Sequence, residues 1–102
     1  MKILHNSVDI IATTRAWQDE GKTVCLVPTM GNIHQGHLAL IAKARKSANR
    51  VVVSIYVNPT QFGNGEDYDS YPRTLDNDCK AISANGGCDA IYVPASMYEA
   101  KH

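Results

Sequence analysis

Short apolar runs rich in β-branched residues constrain the fold more than any other feature of this sequence. They are "TVCLVPT" at 23–29, "VVVSIYV" at 51–57 and "DAIYVP" at 89–94. The first two do not alternate apolar with polar residues, a pattern typical of strands buried on both faces. "KILH" at 2–5 is a candidate for a further short strand. Because helical periodicity separates these runs, an α/β fold with a parallel sheet and right-handed crossovers is predicted.

Three helices are predicted between the strands, over 8–20, 36–48 and 74–85. Ser7 is expected to cap the first helix and Gly21 to end it. The apolar side of the first helix should contain Val8, Ile11, Ala12, Ala16 and Trp17. That of the second should contain Leu38, Ile41, Ala42 and the stem of Arg45. The order is therefore β-α-β-loop-α-β, with a long polar loop at 58–73.

Composition excludes several classes of function. The 102 residues suffice for one domain or part of one, and ten basic residues balance ten acidic ones. This balance argues against nucleic acid and against an anionic membrane surface as partners. The three cysteines form no C-x-x-C pair, so neither a disulfide framework nor a zinc site is suggested. Without a signal or membrane-spanning segment, the expected location is the cytoplasm.

The stretch "VPTMGNIHQGHLALI" is the strongest candidate for a site, since it joins a predicted buried strand to a helix. Ligands of parallel sheets bind at the carboxyl ends of strands, and unpaired amides at a helix start suit phosphate. Gly31 and Gly36 would let a ligand approach the main chain, and His34 and His37 could both point toward it. Two alternatives are surface histidines on an ordinary turn, and a metal site that has no third ligand nearby.

Three segments together resemble the pantoate-β-alanine ligase (pantothenate synthetase) family of the wider H-x-G-H nucleotidyltransferases. They are "PTMGNIHQGHLALI", "YVNPTQFGNGEDYDSYPRTLDNDCKAI" and "CDAIYVPASMYE". The resemblance implies a Rossmann-like parallel sheet that is incomplete. Residues 1–102 would form the N-terminal portion of the nucleotide-binding domain, without its later part and without the C-terminal lid domain.

The family joins pantoate to β-alanine through pantoyl adenylate at the expense of ATP, usually accompanied by Mg²⁺. By resemblance, His37 and His34 would be catalytic, and Gln61 would bind both pantoate and β-alanine. Thr29 and Met30 would also contact pantoate. No protein ligand to a metal is assigned. The residues implied to bind ATP are Met30, Gly31, Asn32, Ile33, His34, Gln35, Gly36 and His37.

Two acidic residues in "TLDNDC" allow two interpretations. Asp76 and Asp78 could bind magnesium through water, or they could be solvated residues at the favourable N-terminus of a helix. The second interpretation is preferred. For the chain as a whole, we expect a homodimer that cannot complete the ligation by itself. The alternative function is a stand-alone, non-catalytic module for nucleotide binding or dimerisation.

Overall fold

The computed structural model describes residues 1–56 and 71–94, which form a four-stranded sheet and three helices. The elements are β1 (Lys2–Leu4), α1 (Ser7–Asp19), β2 (Val24–Thr29), α2 (Gln35–Ser47), β3 (Arg50–Ile55), α3 (Tyr71–Ala84) and β4 (Ala90–Tyr92). The strand order is β1-β4-β3-β2, and every neighbouring pair is parallel. The predicted α/β class is confirmed.

The core is centred on β3, which is buried on both faces as predicted. Val51, Val52, Val53 and Ile55 are almost inaccessible to solvent. Ile41 of α2, Ile82 of α3 and Ile91 of β4 belong to the same buried cluster. An internal strand of a parallel sheet is covered by helices on both sides, so its continuous apolar run has no face left for polar residues.

The prediction that β2 is buried on both faces is wrong. Val27 and Thr29 are buried, but Leu26 between them is 59% exposed. Among the described residues β2 pairs with β3 alone, so it is an outer strand of the sheet. The Leu26 side chain borders an apolar gap between α1 and the sheet, together with Ile10 and Ile11. Because α1 does not close this gap, one face of β2 stays accessible.

Helix α1 begins and packs differently from the prediction. Its N-cap is Asn6, not Ser7, and the Asn6 side-chain oxygen accepts a 2.8 Å bond from the amide of Asp9. No residue of α1 is fully buried, and Val8 is 73% exposed. The side that meets the gap over the sheet carries Ile10, Ile11 and Thr14. The predicted apolar face is therefore correct in part: Ile11 lines the gap and Trp17 is half-buried. It is wrong at Val8, Ala12 and Ala16, which are exposed.

The ends of the other helices follow local backbone rules. Gly21 has a φ of +81°, directly after the C-cap of α1, as predicted. Helix α2 differs from its prediction by one residue at each end. Helix α3 begins three residues earlier than expected, at Tyr71. Pro72 is compatible with that start, since amides of the first turn have no acceptor within the helix.

In the part of the chain that the structure describes, no helix combines the length and apolar character needed to cross a bilayer. Cys25, Cys79 and Cys88 are all free and partly buried.

Candidate functional site at the turn between β2 and α2

The site begins at the carboxyl end of β2, where a buried threonine connects two strands. The Thr29 hydroxyl donates a 3.0 Å hydrogen bond to the carbonyl oxygen of Ser54 in β3. It also accepts a 3.3 Å bond from the amide of Gly31. These two bonds attach the first residues of the turn to the sheet. The hydroxyl of Thr29, expected to contact pantoate, is already engaged in two bonds within the protein.

The next two residues have left-handed backbone conformations. The φ angles are +90° at Gly31 and +54° at Asn32. Glycine adopts such angles freely, and asparagine tolerates them better than most residues do. Consecutive amides in turns of this kind can converge on one anion. In this structure the anion is the carboxylate of Asp78, which accepts bonds from Asn32 N (3.0 Å) and Ile33 N (2.8 Å).

Asp78 is buried, which corrects the interpretation of this residue as solvated. It lies within α3 and is only 4% exposed. Its two oxygens each accept one amide hydrogen, which offsets part of the cost of removing a carboxylate from water. Sequence analysis missed this contact because Asp78 is separated by more than forty residues from the turn. No local pattern marks such a pairing.

The turn ends in a reciprocal pair of hydrogen bonds at the start of α2. His34 is the N-cap, and its Nδ1 accepts a 3.0 Å bond from the amide of Gly36. The amide of His34 in turn donates to Nδ1 of His37 at 3.2 Å. This is the logic of a capping box, with imidazoles in the places usually taken by Ser or Thr and by Glu or Gln.

These two bonds fix the position of the imidazole protons. A ring nitrogen that accepts a hydrogen bond carries no proton, so the N–H of each ring is at Nε2. The centroids of the two rings are 4.1 Å apart, and the ring planes are inclined by 43°. His34 is exposed and His37 is half-buried. The structure therefore brings the two predicted catalytic residues together, with their Nε2–H donors not used in these bonds.

Burial lowers the pKa of His37 below its ordinary value of 6.5, and the neighbouring His34 lowers it further. The charge of Asp78 acts in the opposite direction but does not outweigh these two effects. Near neutral pH the His37 ring is consequently uncharged. It can donate a hydrogen bond from Nε2, but it is not an imidazolium with a proton to spare.

Gly36 leaves room for the ring of the N-cap residue. Sequence analysis expected it to admit a ligand close to the main chain. A Cβ atom at this position would lie 3.0 Å from Cε1 and 3.3 Å from Nδ1 of His34. The group that approaches the glycine is therefore the imidazole of the N-cap residue.

The remaining predicted site residues differ in their placement. Met30 is 63% exposed beside the turn, and Gln35 is exposed at the first position of α2. Ile33 packs against the buried core cluster, so its side chain has a structural role. Gln61, the predicted pantoate and β-alanine residue, lies outside the described residues. Within 1–56 and 71–94, no group of three or more His, Cys, Asp or Glu side chains is placed to hold a metal ion.

Comparison with known proteins assigns the chain to a family. The model of the family described as pantoate-beta-alanine ligase matches residues 2–101. A pantothenate synthetase of Rubrobacter xylanophilus is 47% identical over 91% of this chain and 32% of its own length. One of Laribacter hongkongensis is 54% identical over 85% of this chain, again 32% of its own length.

Solved structures agree with this assignment. The pantoate-beta-alanine ligase of Francisella tularensis, complexed with beta-gamma ATP and beta-alanine, has a TM-score of 0.70 and 33% identity. The alignment covers 98% of this chain and 38% of that one. The chain thus spans about a third of the length of the relatives it matches.

Proposed function

Because the chain belongs to the pantoate-beta-alanine ligase family, we propose that the protein takes part in the ATP-dependent condensation of pantoate with β-alanine to pantothenate. This reaction belongs to coenzyme A biosynthesis. Since the chain spans about a third of its relatives' length, the activity is proposed for the longer protein. The described residues would supply the part of the site that receives the phosphates of ATP.

The proposed reaction has two steps. A carboxylate oxygen of pantoate attacks the α-phosphorus of ATP, which gives pantoyl adenylate and releases pyrophosphate. The amine of β-alanine then attacks the acyl carbon, the bond from that carbon to the AMP oxygen breaks, and the amine loses a proton. Negative charge grows on the leaving phosphate oxygens in the first step, so fixed hydrogen-bond donors near them would lower its barrier.

One observation carries the proposal: two imidazoles at the start of α2 each keep Nδ1 as an acceptor and therefore carry their proton at Nε2. Positioned donors at a helix N-terminus favour a phosphate group. With its pKa lowered by burial and by His34, His37 is suited to donating a hydrogen bond from Nε2. We assign it this role in place of proton transfer to pyrophosphate, which is a good leaving group when bound to magnesium.

The remaining parts of the proposal rest on the family resemblance. Pantoate would be bound by Gln61, Thr29 and Met30, and β-alanine by Gln61. Mg²⁺ would arrive on the phosphates of ATP, and no step is assigned to it, since the described residues include no cluster of three metal-ligating side chains. We also propose a homodimer located in the cytoplasm. Static light scattering tests the dimer, and a mass of one chain would contradict it.

The test is a calorimetric titration of ATP into the chain and two variants. His37→Ala removes the ring, whereas His37→Gln keeps an oxygen that can accept the His34 amide and an N–H that can replace Nε2–H. We expect the affinity for ATP to fall by about tenfold in the alanine variant, as for the loss of one good hydrogen bond. The glutamine variant should retain most of the affinity.

Two outcomes would count against this assignment. Equal binding of ATP by the wild type and His37→Ala would show that His37 does not contact the nucleotide. Equally weak binding by both variants would show that the hydrogen bond from Nε2 alone does not explain the contribution of the imidazole. For the ligation, the chain mixed with ATP, pantoate and β-alanine should form no pantothenate. Product formation would contradict the expectation that the ligation also needs the two thirds of the relatives' length that this chain does not match.

A further inference from the structure

Asp78 is the one buried carboxylate of the described residues, and it contacts the turn that carries the histidine pair. Its oxygens accept the amide hydrogens of Asn32 and Ile33, at 3.0 and 2.8 Å. These bonds connect α3 to the end of β2.

The two bonded peptides lead directly into the histidine pair. Asn32 has a left-handed backbone that a residue with a side chain adopts at some energetic cost, so it needs support from its surroundings. Ile33 follows, and His34 comes next with the extended backbone of an N-cap. A change in the orientation of the Asn32 and Ile33 peptides would therefore move the amide of His34, which donates its hydrogen bond to Nδ1 of His37.

The buried charge is also close enough to act on the ring of His37. The charged or titrating groups that influence this ring are His34 on its own helix and Asp78 on α3. His34 lowers the pKa of His37 and Asp78 raises it. Loss of the Asp78 charge should therefore lower the pKa of His37 further.

We propose that Asp78 is a positioning residue of the candidate site, which holds the peptides of Asn32 and Ile33 and thereby keeps His34 and His37 paired at the start of α2. The importance of this pairing for ATP rests on the proposed function. The pairing itself does not, and it can be measured without a ligand. In this arrangement the converging amides of the turn are occupied by the protein's own carboxylate. ATP would then be contacted through the imidazoles, which the carboxylate holds in place.

The experiment compares Asp78→Asn with Asp76→Asn in ¹⁵N-labelled chain. Asp76 is a matched control, since it lies on the same helix, is 63% exposed and pairs with Lys80 at 3.0 Å. Both variants lose one negative charge, but only the first alters the contact with the turn. Long-range ¹⁵N spectra report which ring nitrogen of each histidine carries the proton, and a pH titration gives the midpoint of His37.

In Asp78→Asn we expect displaced amide signals for Asn32 and Ile33 and a lower titration midpoint for His37. The preference for the proton at Nε2 should weaken, and the affinity for ATP should fall by about tenfold, as for a buried hydrogen bond left unmade. Asp76→Asn should leave all four quantities close to wild type. A folded Asp78→Asn variant with unchanged amide signals and an unchanged His37 midpoint would overturn the proposal.

Asp78→Asn could prevent folding, so the wild type and a second variant provide independent tests. In the wild type, hydrogen exchange at Asn32 and Ile33 should be at least about tenfold slower than in an unstructured peptide. Exchange at the unstructured rate would contradict the proposal. Asn32→Gly keeps the amide and relieves the backbone cost, so it should leave the His37 midpoint unchanged. A displaced midpoint in that variant would also count against the proposal.

These readouts separate the two proposals. If the wild type fails to bind ATP, the proposed function is contradicted, while the amide signals and the state of the His37 ring still decide the role of Asp78. If ATP binds but the histidine pair does not respond to Asp78→Asn, only the positioning role is refuted.

Discussion

The imidazoles of His34 and His37 lie 4.1 Å apart between ring centroids, and each ring accepts a hydrogen bond at Nδ1 from a backbone amide of the same helical turn. This relationship cannot survive protonation of both nitrogens of either ring, because a protonated Nδ1 becomes a donor facing another donor. The pair therefore caps α2 at the turn that we propose receives the phosphates of ATP. The first two predictions concern this pair.

The stability of the fold should depend on the protonation of His37. Its folded pKa lies below 6.5, mainly through burial, so the unfolded chain binds a proton more readily. The contribution of His37 is fully present above pH 6.5 and is lost as the pH falls through the lowered folded value. Between pH 7.5 and 5, the thermal midpoint of the wild type should fall more than that of His37→Gln. Parallel curves for the two proteins would contradict this prediction.

Replacement of Gly36 by alanine should disturb the cap without a large change in stability. Alanine normally favours a helix by about 1 kcal/mol over glycine. At this position the new Cβ would lie 3.0 Å from Cε1 of His34, so the ring must move by a few tenths of an ångström. We expect urea unfolding to show no gain in stability, together with displaced ring signals of His34.

Ala39→Gly provides the matching control, because Ala39 is exposed on the same helix. That variant should lose about 1 kcal/mol, the ordinary difference between the two residues. A clear gain in stability for Gly36→Ala, with His34 signals unmoved, would show that the ring does not need the space.

Thr29 should stabilise the carboxyl end of β2 through its hydroxyl. Thr29→Val has nearly the same shape but leaves the carbonyl of Ser54 and the amide of Gly31 without this partner. We expect a loss of about 1–2 kcal/mol in the free energy of unfolding by urea. Thr14→Val is the control, since the Thr14 hydroxyl donates to the carbonyl of Ile11 within its own helix. Equal effects of the two variants would argue against a special role for Thr29.

Arg45 should connect α2 to the turn that follows α3. Its Nη1 donates to the carbonyl of Gly87 at 2.8 Å, and its Nη2 donates to that of Asn85 at 3.2 Å. Arg45→Met keeps the apolar stem and removes both bonds, so we expect a loss of about 1–2 kcal/mol in unfolding free energy.

Lys46→Met removes the same charge from the neighbouring, exposed position and should change stability by less than about 0.5 kcal/mol. If the two variants lose equal stability in urea unfolding, the bonds from Arg45 do not contribute measurably.

The amino-acid sequence by itself determined the fold class and indicated where the candidate site lies. The unbroken β-branched run of β3 is buried only if helices cover both faces of the sheet. The spacing of apolar residues in α2 determines which side of that helix faces the core. Gly21 determined the end of α1, because few other residues adopt its backbone angle. The unit from His34 to His37 indicated the candidate site because both rings and the helix start lie within one turn.

Only the tertiary structure decided which polar groups meet across the fold. The solvated interpretation of Asp78 failed because its partners are the backbone amides of Asn32 and Ile33, which are distant in sequence. Every residue except proline has such an amide, so the residue types do not reveal the contact. The exposure of Leu26 likewise depends on how closely α1 packs, which periodicity does not report. Local sequence patterns indicate whether a residue tends to be buried or hydrogen-bonded, whereas long-range packing determines which neighbour it contacts.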